Sequence, residues 1–389
     1  MSYWSLVWQQ FRKRTEALVG LFLLGALFLL ALTAPLLANG LPWLVSEDGR
    51  RSSPLLKDFF LPLNPLDRFY NYVLIVLVLT ALFALLTRLL TPAFFARIRR
   101  TQYALGALAS LVLLLGIGTS IGGENVTTDF RALKKQQPQT TVVLTLVPYG
   151  ALDGDPSRNI QPPDSEHPLG CDNNGFDVLA RIIHGSRISL AVGFLAIGLA
   201  VLIGIFVGSL SGYFGGWVDL LLSRVIEVFI CFPTLFLILT IIAIAPTRSI
   251  FWVMFAIGLA GWMGVARLIR GEVLKIRQLD YVIAARAMGM QNRRIVFRHI
   301  LPNALAPVLV AATFGVAGAI LAETSLGFLG LGVEPPTPSW GELLNQARQN
   351  PVRLWWLTIY PGFMIFLSVT LMNLVGEGLR DAMDPRLRR

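Results

Sequence analysis

Apolar residues are concentrated in eight long runs, which polar and often basic segments separate. A helix needs about 20 mostly apolar residues to cross the roughly 30 Å hydrocarbon core of a membrane, at about 1.5 Å per residue. The runs approach that length and lack the alternation that is typical of half-buried strands. They predict eight membrane-spanning helices, near residues 17–38, 72–90, 103–121, 188–210, 220–245, 250–266, 304–322 and 355–376.

The order of these runs predicts an all-α polytopic membrane protein in four parts. They are an N-terminal membrane region with a hairpin, a polar segment outside the membrane, a five-helix membrane domain and a cytoplasmic tail, at residues 1–121, 122–186, 187–377 and 378–389. Only residues 142–147 alternate enough to indicate a short strand. The first run exceeds the roughly 7–15 apolar residues of a signal peptide and ends without a convincing cleavage site, so we interpret it as an uncleaved anchor.

The composition agrees with a membrane protein and excludes a soluble or disordered one. Hydrophobic residues make up 54% of the 389 residues, and charged residues only 14%. Soluble domains carry about 25% charged residues. Lys and Arg nevertheless outnumber the acidic residues, which gives the chain a net charge of +10.

The distribution of this charge predicts the orientation in the membrane. With the N-terminus inside, the cytoplasmic segments hold 19 of the 33 Lys and Arg residues but only 7 of the 23 acidic residues. Positive residues collect in short cytoplasmic loops of membrane proteins. Both termini are therefore predicted to be cytoplasmic, and the positive charge requires no nucleic-acid partner.

Small residues predict close contact between two of the spans. Gly204, Gly208 and Gly212 recur every four residues and line one face of a helix. Such a face allows a second backbone to approach closely. The glycine-rich sequence of residues 212–216 then predicts a sharp turn, with Asp219 near the start of the next helix, where its charge suits the helix dipole.

The connection between the sixth and seventh predicted spans is long, basic and too polar to cross the membrane. Within it, Ala284, Ala285 and Ala287 favour a helix, and Gly289 can take the left-handed conformation that ends one. A short helix with small side chains is suited to dock into a groove on another protein. The alternative is an amphipathic segment that lies on anionic membrane lipid.

This connection resembles the cytoplasmic signature of ATP-binding cassette (ABC) importer permeases. The residues that carry the resemblance are Asp280, Tyr281, Ala284, Ala285, Arg286, Ala287, Gly289, Leu301 and Pro302. Ile283 stands where that signature usually has Glu, a position that is not fixed in the dipeptide/oligopeptide branch.

Four further segments resemble the C-type permease of the same branch, in the same order along the chain. They are residues 167–181, 212–219, 328–341 and 378–386. The chain departs from the family at Cys171, where Thr is usual, and at Phe176, where Arg is frequent. The hairpin of residues 72–121 is a further departure, because family members generally have six spans.

The resemblance implies a type I importer architecture. The permease would pair with a second, B-type permease, bind ABC ATPase subunits inside and receive an extracytoplasmic substrate-binding protein outside. Residues 280–290 would form the coupling helix, which transmits closure of the ATPase to the spans as a rigid-body movement. The class transports dipeptides, longer peptides, peptide antibiotics and nickel complexes, and the binding protein largely selects among them.

The chain carries no motif for chemistry of its own. A phosphate-binding loop needs a lysine directly after a glycine, and none of the five lysines follows one. We find no metal-ligand spacing of His and Cys. The one Gly-x-Ser-x-Gly pattern, Gly118–Gly122, lies at the end of an apolar run and not at the strand-to-helix turn of a nucleophile elbow. We therefore predict no catalytic residue, metal or cofactor and assign ATP hydrolysis to a partner. The alternatives are an ATP-independent secondary carrier and, less favoured, a membrane-embedded enzyme.

Charged residues within the predicted spans are expected to pair or to reach water. Arg224 and Glu227 lie three residues apart on one helical face and can form an intramembrane ion pair, which lowers the cost of burial. Glu323 and Glu377 lie near the ends of their spans, so both are predicted to extend toward water.

A proline-rich segment between the last two spans is predicted to lie outside the membrane. Its polar character indicates a mouth that faces the binding protein, and the residues assigned to this mouth are Pro335, Pro336 and Trp340.

Overall fold

A computed structural model describes residues 3–47, 50–60, 68–76, 130–131, 133, 141–247 and 249–384. The chain forms two compact units. One contains Met1–Leu27 and Ile188–Arg389, and the other contains Phe28–Arg187.

The described residues are mainly helical. The helices are α1 (Tyr3–Phe11), α2 (Thr15–Leu37), α3 (Pro54–Phe60), α4 (Val178–Phe214), α5 (Gly216–Cys231), α6 (Thr234–Ile244), α7 (Ile250–Ile276), α8 (Asp280–Ala287), α9 (Asn292–Phe328), α10 (Trp340–Ala347) and α11 (Trp355–Met383). Residues 68–76 are also helical, and α9 contains a π-helical turn at Val296–Ile300.

Six of the predicted spans have a counterpart in this structure. Among the described residues, α2, α4, α7, α9 and α11 are long and apolar enough to cross a membrane, and α5 with α6 makes a sixth if the bent pair is one span. The all-α fold class is confirmed for this membrane part. The hairpin predicted at 72–90 and 103–121 lies outside the described residues, apart from the helical residues 72–76.

The prediction of one continuous span over residues 220–245 is wrong. The helix stops at Cys231 and restarts at Thr234, and the two pieces are bent by 88°. Pro233 precedes α6, and Phe232 is extended with φ −83° and ψ 127°. Proline disfavours the helical conformation of the preceding residue, so hydrophobicity alone did not indicate this break.

Several helices are also longer than the apolar runs that predicted them. Helix α4 begins at Val178 instead of near residue 188, and α7 ends at Ile276 instead of near residue 266. The Asp177 carboxylate accepts a hydrogen bond from the backbone N–H of Ala180 at 2.7 Å, as an N-cap does. Hydropathy measures only the part of a helix that lies in hydrocarbon, whereas capping determines where the helix starts.

The close approach predicted at the glycine face of α4 is confirmed. A Cβ atom added at Gly208 would lie 2.4 Å from the carbonyl oxygen of Ala266 in α7. At Gly204 and Gly212 it would lie 2.6 and 2.8 Å from the Cβ atoms of Val265 and Val273. The two helices therefore pack backbone against backbone along this face.

The two ends of this first unit meet each other. Val7, Phe11 and Ala17 form a buried cluster with Ala382 at the end of α11. Arg14 also pairs with Asp381 at 2.8 Å. The start of α2 and the end of α11 consequently lie side by side.

The second unit contains a small sheet that the all-α prediction does not include. Strands β1 (Leu44–Glu47), β2 (Arg50–Ser52) and β3 (Thr141–Val143) are antiparallel in the order β2-β1-β3. The strand predicted at residues 142–147 therefore ends at Val143. Val147 makes only an isolated bridge to Ala38, because it pairs with the end of α2 instead of continuing the sheet.

Candidate functional site

The predicted coupling segment forms a helix with a defined start and end. Asp280 lies in the first turn of α8 and Arg286 in the last, which suits the helix dipole. Gly289 has a φ of +75°. The backbone N–H groups of Met290 and Gly289 donate to the carbonyls of Ala285 and Arg286, at 3.1 and 3.0 Å. These two bonds make a Schellman motif, so Gly289 ends the helix as its sequence predicted.

Helix α8 has one buried face and one exposed face. Val282 and Ala285 are buried in a cluster with Ile276, Ile295 and Ile300. On the other side Ile283 is 54% exposed and Met288, just after the helix, is 76% exposed. Tyr281, Ala284, Arg286 and Ala287 are exposed as well. Ala285 is therefore part of the internal packing, whereas the exposed residues of α8 are accessible to a partner.

The last turn of α4 contacts α8 and the segments on either side of it. The hydroxyl of Tyr213 donates to Oδ1 of Asn292 at 2.6 Å, and the Arg286 guanidinium lies 5.5 Å from the centre of the Tyr213 ring. Nη1 of Arg277 donates to the carbonyls of Gly212 and Tyr213, at 2.8 and 3.3 Å. Sequence reasoning treated this region only as a turn and missed the role of Tyr213.

A charged contact joins α5 to α7 close to the same turn. Asp219 accepts two hydrogen bonds from Arg270, Nε to Oδ1 at 2.5 Å and Nη2 to Oδ2 at 2.8 Å. The hydroxyl of Ser211 in α4 donates to the same carboxylate. Asp219 does lie in the first turn of its helix, as predicted. The contacts of Asp219 with Arg270 and Ser211 together link three helices, and the local sequence does not reveal them.

Leu301 and Pro302 lie in α9, and Pro302 lines an open cavity of about 590 Å³. The cavity is lined by Gln291, Arg293, Arg294, Phe297, Arg298 and Pro302. Within the described ranges, no group of three or more His, Cys, Asp or Glu side chains is placed to hold a metal ion.

The structure corrects the role predicted for Trp340 at the external mouth. Pro335 and Pro336 are exposed, but Trp340, at the start of α10, is fully buried. A Cβ atom added at Gly341 would lie 2.8 Å from the carbonyl oxygen of Thr324, so α10 packs tightly on α9. This packing encloses the indole, which leaves only the two prolines accessible to a partner.

Glu323 is also placed differently from the prediction. Instead of reaching water, its side chain is fully buried, and its Oε2 accepts a hydrogen bond from Ser189 of α4 at 3.1 Å. Helix α10 covers this end of α9. It therefore shields Glu323 from solvent, although its position near the end of a span predicted contact with water. Glu377 is exposed in the structure.

Arg224 and Glu227 are in contact, with Nη1 and Oε2 2.5 Å apart. Their side chains are 69% and 58% exposed, so the described residues do not enclose the pair. Both residues lie in α5, before the break at Pro233.

The second unit buries the polar residues of the His167–Arg181 segment. Nδ1 of His167 lies 2.8 Å from Oδ2 of Asp177, and Nε of Arg181 lies 3.2 Å from Oδ2 of Asp172. Asp172 also accepts backbone hydrogen bonds within its own loop. Burial raises the pKa of the neighbouring Cys171 thiol to about 12, which keeps it protonated and unreactive. This segment acts as a structural core.

The sequence profile of binding-protein-dependent transport system inner membrane components matches residues 200–389. The profile for the N-terminal transmembrane domain of oligopeptide transport permease C matches residues 2–50. The dipeptide transport system permease protein of Alkalihalophilus pseudofirmus is 42% identical over 233 residues, which cover 60% of this chain and 76% of that protein. The chain belongs to the family of dipeptide/oligopeptide transport permeases.

The glutathione transport system permease of Pectobacterium atrosepticum is similar to this permease as well. It is 40% identical over 244 residues, which are 62% of this chain and 81% of that protein. Among solved structures, an inward-facing MetNI methionine ABC transporter matches with a TM-score of 0.42 and 20% identity, over 51% of this chain and 96% of that chain.

Family membership confirms the resemblance seen in the signature residues. The permease is a multi-pass inner-membrane protein and a transport subunit of the ABC importer class, whose permeases work with an ATPase and a binding protein. Residues 51–199, which include the predicted hairpin, lie outside both family profiles.

Proposed function

We propose that the permease forms half of the translocation pathway of an ATP-driven peptide importer, beside a second, B-type permease. The observation that carries the coupling part of this proposal is the exposed apolar surface of α8, formed by Ile283, Ala287 and Met288. Exposed apolar side chains on a short helix outside the spans are typical of a surface that a partner protein buries. In this family the permeases work with an ABC ATPase subunit, which we propose as the partner of α8.

The residues behind α8 provide a route from the ATPase to the spans. Val282 and Ala285 pack α8 on the core, and Tyr213 links it to the end of α4. The pair of Asp219 and Arg270 then joins α5 to α7. A push on α8 would therefore move these helices together and open the pathway alternately to each face, with the ATPase subunits supplying the energy.

We infer small peptides as the substrate class. Relatives of nearly equal identity are named for dipeptides and for glutathione. A binding protein that docks at an external mouth containing Pro335 and Pro336 would select among such substrates. The permease itself would neither hydrolyse ATP nor change the substrate.

The transport proposal is tested by reconstitution into liposomes with the second permease, the ATPase subunits and the binding protein. We expect uptake of a labelled dipeptide only when ATP and the binding protein are present, and none with a hydrolysis-deficient ATPase variant. Uptake driven by an ion gradient without ATP would identify a secondary carrier. Chemical conversion of the dipeptide by the permease alone would identify a membrane enzyme.

We also propose that both termini and α8 are cytoplasmic, which the packing of α2 against the end of α11 supports. The test uses a Cys231→Ser background, because Cys231 is exposed and Cys171 is buried. An impermeant thiol reagent added outside whole spheroplasts should label Leu152→Cys but not Gln278→Cys, and it should label both after lysis. Both positions are exposed. External labelling at residue 278 would overturn the orientation.

A further inference from the structure

The cavity beside α8 has a chemical character that the coupling role does not explain. Its wall combines three arginines, Arg293, Arg294 and Arg298, with the aromatic ring of Phe297. Among the described residues that line it, none belongs to α8 and none is acidic. We refer to this cavity as the basic cleft.

The three arginines are free to bind an anion. In the described part of the chain, none of them is paired with a carboxylate. Arg293 and Arg294 are exposed, as is Arg298 one helical turn later. A guanidinium presents a planar fork of N–H donors that matches the oxygens of a phosphate. Three such groups around one cavity favour a phosphate ligand.

The position of the basic cleft points to lipid as the source of that phosphate. Helix α9 has 37 residues, whereas a span needs about 20. Its first residues, which line the cleft, precede the apolar run that starts near Ala304. They are therefore expected at the level of the lipid headgroups. Phe297 is 64% exposed beside the arginines, which suits the boundary between headgroups and acyl chains.

The wall of the basic cleft is fixed to the protein core. Ile295 and Ile300 are fully buried on the inner side of the same helical segment. Phe297 and Arg298 lie between them in the π-helical turn, a local geometry that is frequent at functional sites. The arginines are thus presented on a supported surface beside α8.

We propose that the basic cleft binds the phosphate of an anionic phospholipid of the cytoplasmic leaflet, next to the coupling helix. Basic pockets at the cytoplasmic side of membrane helices are suited to such headgroups. The inference rests on the proposed orientation, and it adds a lipid contact to the segment that transmits ATPase closure.

The test measures lipid binding directly. The purified importer complex, in detergent and without ATP or substrate, is titrated with dioleoyl-phosphatidylglycerol or dioleoyl-phosphatidylcholine and followed by native mass spectrometry. The test variant carries Arg293→Gln, Arg294→Gln and Arg298→Gln. The matched control carries Arg267→Gln, Lys275→Gln and Arg380→Gln, three exposed cations that do not line the cleft.

The unmodified complex and the control should bind the first phosphatidylglycerol at least tenfold more tightly than phosphatidylcholine. The test variant should bind phosphatidylglycerol roughly a hundredfold more weakly, because three arginines are lost. If that variant fails to fold, Arg298→Gln alone should still weaken binding, whereas Arg298→Lys should retain most of it. Equal phosphatidylglycerol affinity of the test variant and the control would overturn the proposal.

Two further results would assign the basic cleft to a different ligand. Displacement of the lipid by 10 mM inorganic phosphate would indicate a site for free anions. Loss of the ATPase subunit from the test variant, with phosphatidylglycerol binding unchanged, would indicate a protein interface. Because lipid binding is measured without transport, a complex that binds lipid through these arginines but does not import peptide would refute only the proposed function.

Discussion

Replacement of Ile283 by aspartate should release the ATPase subunit from the purified permease and abolish ATP-dependent uptake, while the permease still inserts into the membrane. Ile283 is exposed on the apolar surface of α8, so the free permease tolerates the change. In the complex, the new carboxylate would be desolvated without a partner. We expect ATPase affinity to fall roughly 30-fold or more, as for a central interface residue, measured by copurification and by titration of the ATPase.

Two other aspartate substitutions serve as controls for this result. Val352 is 85% exposed in the segment between α10 and α11, so Val352→Asp should retain the ATPase fully. Val282 is buried on the opposite face of α8, so Val282→Asp should reduce the yield of folded permease itself. Full ATPase retention by Ile283→Asp would contradict the assignment of α8 as the coupling helix. Ala285→Arg would test folding in the same way as Val282→Asp, because Ala285 is buried.

The addition of one methyl group at Gly208 should destabilise the membrane domain strongly. In Gly208→Ala, the new Cβ would lie 2.4 Å from the carbonyl oxygen of Ala266 and 2.9 Å from Cβ of Ile269. Both atoms belong to the α7 backbone or lie next to it, so α4 and α7 must separate to accept the methyl group. Such overpacking costs about 1–3 kcal/mol, and we expect a lower midpoint of thermal unfolding and reduced uptake.

The same helix supplies a matched control for the glycine prediction. A Cβ at Gly198 meets no atom within 4 Å. Because alanine favours a helix over glycine by up to about 1 kcal/mol, Gly198→Ala should leave the thermal midpoint unchanged or raise it. If both variants unfolded at the same temperature, the close approach of α4 and α7 would not limit stability.

Local chemistry was sufficient to predict a large part of this protein. Apolar runs marked five described spans and the bent pair of α5 and α6, since a helix in hydrocarbon must satisfy its own backbone hydrogen bonds and expose apolar side chains. The spacing of Gly204, Gly208 and Gly212 predicted a helix–helix contact that the structure contains. Gly289 likewise ended α8 where a left-handed residue was expected. Each of these features depends on residues that are close along the chain or lie on one face of one helix, so the sequence is sufficient to predict it.

The candidate site was predictable only in outline. The signature residues located α8, but they did not reveal that Ala285 is buried while Ala287 is exposed. Tyr213 lies far from Asn292 in sequence, and Asp219 lies far from Arg270, yet each pair joins two helices in the structure. Sequence spacing contains no information about such contacts, because they depend on which helices become neighbours.

The sequence by itself determined the membrane location, the helical class and the position of the helix that we propose to couple to the ATPase, because hydrophobicity, glycine conformation and charge act locally. Only the tertiary structure decided which polar and aromatic residues are hidden. Trp340 and Glu323 became buried because α10 packs against α9 through Gly341. The burial of a residue near the end of a helix depends on the element that covers it, and that element is brought there by contacts that are distant in the chain.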